Sequence, residues 1–231
     1  MITALIVAGG SGVRMKDSRL KQYIPLDGLP IVAHTLKAFD ACPRIDRLVW
    51  VMPQGDLEDY GPSLSSSLGL KKPVLRVAGG LRRQDSVYNG LKALGADDGI
   101  VAIHDGVRPF VRSAQIIACI HGAEATGACI LGIPAHDTLK QIDESGCIVR
   151  TLSREPIWLA QTPQVFRCGL IRSAHEKARS DGVTGTDDAF LVERMGKPVR
   201  VIPGSRFNIK ITTPEDLVLA EAILRNWRQD E

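Results

Sequence analysis

The sequence contains no long apolar segment and no strong excess of charge. Its apolar runs stay well below the roughly 18 residues that a membrane-spanning helix needs, and no basic residues precede the apolar run after Met1. We therefore expect neither a membrane anchor nor a secretory signal. A formal net charge of +3 over 231 residues is also too weak for the basic surface of a nucleic-acid binder. The prediction is a cytoplasmic protein that binds neither membranes nor nucleic acids.

The sequence also lacks the spacings of a metal centre built from cysteine and histidine. Its five cysteines and five histidines are scattered, with no C-x-x-C pair and no H-E-x-x-H motif. Those are the spacings of zinc knuckles and of zinc-peptidase helices, and an odd number of cysteines does not make a disulfide framework. Neither a zinc site of that kind nor a set of disulfides is expected.

What the sequence does contain is a series of short apolar runs separated by segments with helical periodicity. The runs cover residues 5–7, 48–52, 74–77, 100–103 and 129–133. Continuous apolar runs are typical of strands buried on both faces of a parallel sheet. Between them, residues 84–94 and 113–120 carry apolar side chains at helical spacing. The alternation predicts a doubly wound α/β fold, and the length fits one domain of this type.

Two segments depart from this alternation. Pro62 and the serine run at 65–67 weaken any helix over 55–69, so we predict a surface excursion there. Over 138–152, two strands flank an Asp-Glu-Ser-Gly turn, which predicts an inserted β-hairpin. Because an isolated hairpin is unstable in water, it needs a partner surface. We interpret it as a dimerisation arm over about 136–154.

The C-terminal third has its own expected elements. An extended segment is predicted over 158–166, a helix over 170–178, strands over 199–202 and 208–211, and a final helix that opens at Thr213 and Pro214. Another helix is predicted to run to Met195 with Thr186 as its N-cap. Strand alternation over 208–211 puts Asn208 and Lys210 on one face, and on this reasoning alone Lys210 faces solvent.

The first apolar run ends in a glycine turn that is followed by cations. The residues concerned are Ala8, Gly9, Gly10, Gly12, Arg14, Lys16, Arg19 and Lys21. A parallel strand that breaks into glycines presents backbone N–H groups to a phosphate. Met15 replaces the third glycine of a dinucleotide fingerprint, and no Gly-Lys-Ser/Thr of a P-loop follows. The turn therefore indicates a triphosphate site of another kind, with a solvated basic loop as the alternative.

Two further clusters follow predicted strands. Asp105 and Arg108 come after the run at 100–103, where ligands of open α/β sheets bind. Mg²⁺ is usually held by one or two carboxylates together with substrate phosphates, so Asp105 is the candidate metal ligand; a turn-capping carboxylate paired with Arg108 is the alternative. After the run at 74–77, Gly80 offers space for a planar base and Ser86 offers a hydroxyl. Capping of the next helix by Asp85 or Ser86 is an equally good interpretation, and both can be true.

Eight motifs, taken in order along nearly the whole chain, resemble the 2-C-methyl-D-erythritol 4-phosphate cytidylyltransferase family of the non-mevalonate isoprenoid pathway. They are AGGSGVRM, LKQY, GGLRRQDSV, HDGVRP, HDTLK, LAQTPQVF, TDDA and NIKIT. The resemblance implies a Rossmann-like, mostly parallel nucleotidyltransferase domain over 1–231 and a homodimer joined by the hairpin arm. It also implies transfer of CMP from CTP to 2-C-methyl-D-erythritol 4-phosphate with Mg²⁺, and release of pyrophosphate.

The resemblance assigns roles to the matching positions. Implied catalytic residues at the α-phosphate are Arg14, Lys21 and Lys210. For Lys210, this role replaces the prediction that the side chain faces solvent. Implied nucleotide contacts are Ala8, Gly9, Gly10, Gly12, Gly80, Ser86 and Gly106. Implied acceptor contacts are Asp105, which is also the metal ligand, Arg108, Thr162 and Thr186, with Thr138 and Arg154 reaching the acceptor of the partner subunit.

Two other functions remain open at this point. One is a cytidylyltransferase for another sugar-alcohol phosphate, such as ribitol 5-phosphate. The other is a nucleotide sensor that binds CTP without transferring it, against which the presence of both Arg14 and Lys21 argues.

Overall fold

The computed structural model describes residues 1–10, 20–95 and 99–227. Its strands, in chain order, are β1 (Ile2–Val7), β2 (Pro25–Leu26), β3 (Leu29–Pro30), β4 (Arg47–Met52), β5 (Val74–Ala78), β6 (Ile100–Asp105), β7 (Ala128–Pro134), β8 (Leu139–Ile142), β9 (Ile148–Leu152), β10 (Trp158–Arg167) and β11 (Arg200–Pro203). Its α-helices are α1 (Ile31–Ala41), α2 (Tyr60–Ser67), α3 (Arg83–Lys92), α4 (Ser113–Thr126), α5 (Cys168–Ser180), α6 (Asp188–Glu193) and α7 (Pro214–Trp227). Short 3₁₀ helices cover Lys21–Tyr23 and Gln54–Asp56.

The central sheet has seven strands in the order β11-β7-β10-β6-β1-β4-β5. β1 pairs in parallel with β4 and β6, β4 with β5, and β7 with β11. β10 lies antiparallel between β6 and β7. The predicted α/β class and the mostly parallel sheet are confirmed.

The sheet is buried on both faces, which explains the continuous apolar runs. Successive side chains of a strand point to opposite faces. On β1, Ala4 and Ile6 pack into one core cluster together with Leu36 and Phe39 of α1. Leu5, between them, packs into the cluster on the other face with helices α3, α5 and α6. Each strand therefore needs apolar residues at consecutive positions, and loops at its carboxyl end carry the polar groups.

The prediction of a surface excursion over 55–69 is wrong, because this segment contains α2. Pro62 is the third residue of that helix, where a backbone N–H would have no partner within the helix. The hydroxyl of Ser65 donates to the carbonyl of Gly61, and that of Ser67 to the carbonyl of Leu64. Leu64 is buried against the core. Tertiary packing outweighs the low helix propensity of the serines.

Two predictions in the C-terminal third are also wrong. Residues 208–211 form no regular strand; instead Asn208 is buried and the N–H of Ile211 donates to the carbonyl of Val107. The N-cap of α6 is Asp187 rather than Thr186, because the Asp187 carboxylate accepts a hydrogen bond from the N–H of Phe190 at 2.9 Å. The final helix begins at Pro214 as predicted.

An antiparallel strand pair forms where the hairpin is predicted. β8 and β9 make a separate two-stranded sheet, and the carboxylate of Asp143 accepts N–H bonds from Ser145 and Cys147 in the turn. Its apolar side chains Ile148 and Val149 are 62% and 58% exposed. The role of this hairpin in dimerisation stays a prediction.

Across the described ranges, every helix is too short or too polar to span a bilayer.

Candidate active site

Two adjoining cavities of about 250 Å³ each open at the carboxyl ends of the central strands. The lining of the first cavity includes Ala8, Gly10, Lys21, Gly80 and Ser86. The lining of the second cavity includes Arg108, Gln161, Thr162, Gln164 and Thr186. Arg83, Asp105 and Lys210 line both. Residues from seven of the eight sequence motifs therefore meet at one edge of the sheet, as expected for ligand sites of open α/β folds.

The first cavity is shaped by backbone that approaches closely around glycines. A Cβ added to Gly9 would lie 3.1 Å from the Cα of Gly79, and one added to Gly80 would overlap the side chain of Asp85. The space around Gly106 is similarly small, because an added Cβ would lie 2.9 Å from the Cβ of Ala8. The backbone is therefore closely packed at the ends of β1 and β6 and at the turn from β5 into α3, which leaves little room for side chains at these glycines.

Ser86 closes the turn that contains Gly80. Its hydroxyl oxygen accepts a hydrogen bond from the N–H of Gly80 at 3.0 Å, and the side chain is 2% exposed. Ser86 is therefore inside α3 and does not cap that helix. Of the two capping candidates, Asp85 is confirmed and Ser86 is wrong, because the carboxylate of Asp85 accepts a hydrogen bond from the N–H of Arg82.

Asp105 is the centre of charge at the junction of the two cavities. Its Oδ1 lies 2.8 Å from Nε of Arg83, and its Oδ2 lies 2.9 Å from Nζ of Lys210 and 3.7 Å from Nε of Arg108. Burial alone would raise the pKa of Asp105, but the three cations outweigh it and hold this pKa well below its usual range. Asp105 is thus ionised at neutral pH and is surrounded by three cationic side chains.

Lys210 does not face solvent as the strand pattern indicated. The segment around it is irregular, its ammonium group pairs with Asp105, and its side chain is 35% exposed. The buried amide of Asn208 holds this segment in place by donating to the carbonyl of Thr162 at 2.7 Å. Lys210 is therefore presented to both cavities by a loop and not by a strand.

A buried hydrogen-bond network supports Asp105 from below. The hydroxyl of Thr162 accepts from the N–H of Asp105 at 3.1 Å and lies 3.0 Å from Nδ1 of His104. Nε2 of His104 lies 3.0 Å from the carbonyl of Arg108. Burial lowers the pKa of His104 to about 4, so the ring is neutral at pH 7. Nε2–H then donates to Arg108, and Nδ1 accepts from Thr162.

Arg83 is a site residue that the sequence reasoning missed. Its Nη1 lies 2.8 Å from the carboxylate of Asp188, while its Nε binds Asp105. Burial alone would lower the pKa of Arg83, but the two carboxylates raise it above its ordinary value. An arginine in the first turn of a helix opposes the helix dipole. That unfavourable position, in the motif GGLRRQDSV, is the signal that could have identified it.

Gln164 is a second residue whose role was missed. Its Oε1 accepts hydrogen bonds from the N–H groups of Asp188 and Ala189, each at 3.0 Å, and its amide nitrogen donates to Asp187. The side chain thereby fixes the start of α6 beneath the second cavity. Thr186, which lines that cavity, is positioned by this contact.

Some predicted site residues do not line the cavities, and two others fall outside the part of the chain that the structure describes. Gly12 and Arg14 lie outside the described residues. Thr138 and Arg154 are exposed and line neither cavity; the guanidinium of Arg154 donates to the carbonyl of His136 at the base of the hairpin. The assignment of both to a neighbouring subunit's site stays a prediction.

The described residues offer a divalent cation little beyond Asp105. Within the ranges that the structure covers, no three His, Cys, Asp or Glu side chains cluster as metal ligands. Both oxygens of Asp105 are already bound by cationic side chains, so a metal ion at Asp105 would have to displace one of them. Asp105 fits poorly as a direct metal ligand in this arrangement.

Relatives of known function match the chain over nearly its full length. A protein of Syntrophus aciditrophicus is 49% identical over 224 residues, covering 97% of this chain and 96% of its own. A protein of Pelotomaculum thermopropionicum is 46% identical, covering 97% and 94% respectively. Both are named 2-C-methyl-D-erythritol 4-phosphate cytidylyltransferase.

Solved structures agree with the sequence relatives. A 4-diphosphocytidyl-2C-methyl-D-erythritol synthase of Anaerococcus prevotii superposes with a TM-score of 0.86 at 33% identity, over 97% of this chain and 96% of that one. A 2-C-methyl-D-erythritol 4-phosphate cytidylyltransferase of Thermus thermophilus gives 0.80 at 32% identity, over 97% and 100%. The family model of this name matches residues 2–226. The chain belongs to the 2-C-methyl-D-erythritol 4-phosphate cytidylyltransferase family.

Proposed function

We propose that this protein transfers CMP from CTP to 2-C-methyl-D-erythritol 4-phosphate, giving 4-diphosphocytidyl-2-C-methyl-D-erythritol and pyrophosphate. An oxygen of the acceptor phosphate forms a bond to the α-phosphorus of CTP, and the bond from that phosphorus to the pyrophosphate oxygen breaks. The observation that carries the proposal is the junction of two cavities at Arg83, Asp105 and Lys210. CTP occupies the first cavity and the acceptor the second, so their phosphates meet at this junction.

The cationic side chains supply the catalysis in this proposal. Negative charge builds up around the α-phosphorus and on the departing pyrophosphate, and fixed cations stabilise such charge. Lys21 lines the first cavity and Lys210 lies at the junction; we assign Arg14 to the same task. No protein nucleophile is needed, because the acceptor phosphate attacks directly.

The backbone of the first cavity binds the nucleotide. We place the triphosphate against Ala8, Gly9, Gly10 and Gly12, since glycine N–H groups at a strand end bind phosphate. We place the base and ribose near Gly80, which lines the first cavity, and we assign Gly106 to the same contact. Ser86 acts mainly by holding the N–H of Gly80.

The second cavity binds the acceptor through Asp105, Arg108 and Thr186. The guanidinium of Arg108 is only 13% exposed and is fixed by a 2.7 Å bond to the carbonyl of Asn208. Thr162 already uses its hydroxyl on Asp105 and His104, so it acts largely by holding Asp105.

A divalent cation enters the proposal with the nucleotide. Mg²⁺ is commonly bound by substrate phosphates with few protein ligands, which suits a site in which Asp105 is engaged by cations. The ion would neutralise part of the triphosphate charge when bound. Among the described residues that line both cavities, Asp105 supplies the carboxylate that we assign to contact it.

We also propose that residues 1–231 form one nucleotidyltransferase domain that acts in the cytoplasm as a homodimer, with the hairpin at about 136–154 as the arm. Thr138 and Arg154 would then contact the acceptor in the partner's site. A mixing experiment tests this: Arg154→Ala and Lys21→Ala proteins, each impaired alone, should regain activity when mixed. Continued inactivity of the mixture would contradict a site shared between subunits.

A pyrophosphate-release assay tests the function itself. Purified protein with Mg²⁺ is assayed with CTP, UTP and ATP against both 2-C-methyl-D-erythritol 4-phosphate and ribitol 5-phosphate. The proposal predicts the fastest turnover with CTP and the methylerythritol acceptor, which the family also favours. Faster turnover of ribitol 5-phosphate would reassign the acceptor. Binding of CTP without any pyrophosphate release would favour a sensor.

A further inference from the structure

Three consecutive residues at the start of α3 link the wall of the first cavity to the segment 183–188. Arg82 donates to the hydroxyl of Thr184 at 2.6 Å. Gln84 donates to the carbonyl of Val183 and accepts from the N–H of Gly185 at 2.8 Å. Arg83, between them, binds Asp188. The two cavities are therefore joined by side chains as well as by the shared junction.

Asp188 is the deepest member of this link. Its side chain is 1% exposed and lines neither cavity. One carboxylate oxygen accepts from Nη1 of Arg83 at 2.8 Å, and the other lies 3.1 Å from Nε2 of the buried His175. Burial would raise the pKa of Asp188, but Arg83 and His175 lower it. Asp188 is thus a buried charge that does not reach either cavity.

Arg83 transmits the position of Asp188 to the junction. The guanidinium is planar and rigid, so a bond at Nη1 fixes the direction of the bond at Nε. Nε holds Oδ1 of Asp105, which leaves Oδ2 to Lys210. A continuous series of charged contacts runs from Asp188 through Arg83 and Asp105 to Lys210.

A buried ion pair is often no more stabilising than apolar residues of the same size, so stability alone does not account for Asp188. We infer that Asp188 is a positioning residue: by holding Arg83, it sets the orientation of Asp105 and the place of the Lys210 ammonium group between the two cavities. The inference rests on the proposed function, because Lys210 matters only if phosphoryl chemistry occurs at the junction.

A double-mutant cycle on kcat tests this inference. Asp188→Asn removes the charge that anchors Arg83, and Arg83→Lys removes the planar fork while keeping a cation. We expect Asp188→Asn to lower kcat about tenfold or more, because small misplacements of catalytic groups cost this much. The KM for CTP should stay within about twofold of the wild-type value. If Asp188 acts through Arg83, the double variant should be no slower than Arg83→Lys alone.

Asp181→Asn is the matched control. Asp181 is a carboxylate that pairs with Lys177 and Arg194 and lines neither cavity, and its replacement should leave kcat unchanged. A similar loss of kcat in the Asp181 variant would overturn the inference. A wild-type kcat for Asp188→Asn would also overturn it, as would a double variant whose loss of kcat is the product of the two single losses.

Folding of each variant is checked by circular dichroism and thermal unfolding. If Asp188→Asn does not fold, Asp188→Glu takes its place, since it keeps the charge and displaces the carboxylate by one methylene. The Glu variant should also lose kcat at an unchanged KM for CTP, and a wild-type kcat would overturn the inference. Wild-type protein without any pyrophosphate release would instead overturn the proposed function, and the inference with it.

Discussion

The two cavities are built by different means, although they share one edge of the sheet. The first cavity is bordered by tightly packed backbone: a Cβ added to Gly9 would lie 3.1 Å from the Cα of Gly79, and one added to Gly80 would overlap Asp85. The second cavity is a network of side chains, in which Thr162 and Gln164 each make at least two hydrogen bonds. The first should therefore be sensitive to added volume, and the second to lost polar groups and to pH.

The largest effect is expected where the cavities meet. Lys210→Ala removes the cation that pairs with Asp105 and, in the proposal, stabilises the transferring phosphate. Loss of such a contact typically costs about 10²- to 10³-fold in kcat. Steady-state kinetics with both substrates measures it, and Lys177→Ala on the surface of α5 is the control. An unchanged kcat for Lys210→Ala would place the chemistry elsewhere.

The buried histidine beneath the second cavity should make the protein sensitive to acid. The pKa of His104 is about 4 in the folded chain, against the ordinary value of 6.5 that applies to the unfolded chain. As the pH falls, the unfolded chain therefore takes up a proton first. The free energy of unfolding should then decrease between pH 6.5 and pH 4, by up to about 3 kcal/mol from this group.

Urea denaturation at several pH values measures this dependence. His104→Gln should flatten the curve over this range, whereas His136→Gln, at an exposed position, should leave its slope unchanged. An equally steep curve in the His104 variant would contradict the assignment. Asp105 and Asp188 add to the pH dependence only at lower pH, because the pKa of each is lowered from its ordinary value of 3.8.

Removal of one hydroxyl should weaken the second cavity. Thr162→Val keeps the shape of the side chain but leaves the N–H of Asp105 and Nδ1 of His104 without a partner. Unpaired buried groups cost roughly 1–3 kcal/mol, so the unfolding free energy should fall by about 2 kcal/mol. Thr151→Val on the exposed hairpin should change it by less than about 0.5 kcal/mol. Equal effects of the two substitutions would contradict the network.

Added volume should weaken the first cavity. An alanine at position 80 would overlap Asp85, and relief of such a clash typically costs 1–3 kcal/mol. We expect Gly80→Ala to raise the KM for CTP by about tenfold, with a smaller change for the acceptor. Gly169→Ala, where a Cβ meets nothing within 4 Å, is the control. A larger effect on the acceptor than on CTP would reverse the assignment of the cavities.

The same difference explains what could be predicted from sequence. The first cavity depends on glycines next to apolar runs, and both features are local in the chain. The second depends on contacts such as Arg83 to Asp188, which are 105 residues apart, and on the antiparallel insertion of β10 between β6 and β7. No local pattern encodes either. The strand predicted over 208–211 is wrong because the alternation of side chains carries no information about the hydrogen bond from Asn208 to the carbonyl of Thr162.

Isotope transfer tests the central claim most directly. The protein is incubated with CTP, Mg²⁺ and 2-C-methyl-D-erythritol 4-phosphate whose terminal phosphate oxygens carry oxygen-18, and the products are followed by phosphorus NMR. Bond formation between an oxygen of the acceptor phosphate and the α-phosphorus predicts an isotope shift on both phosphorus atoms of the new diphosphate, since the labelled oxygen becomes the bridge, and none on pyrophosphate. An unshifted α-phosphorus signal, or label in the pyrophosphate, would contradict the account.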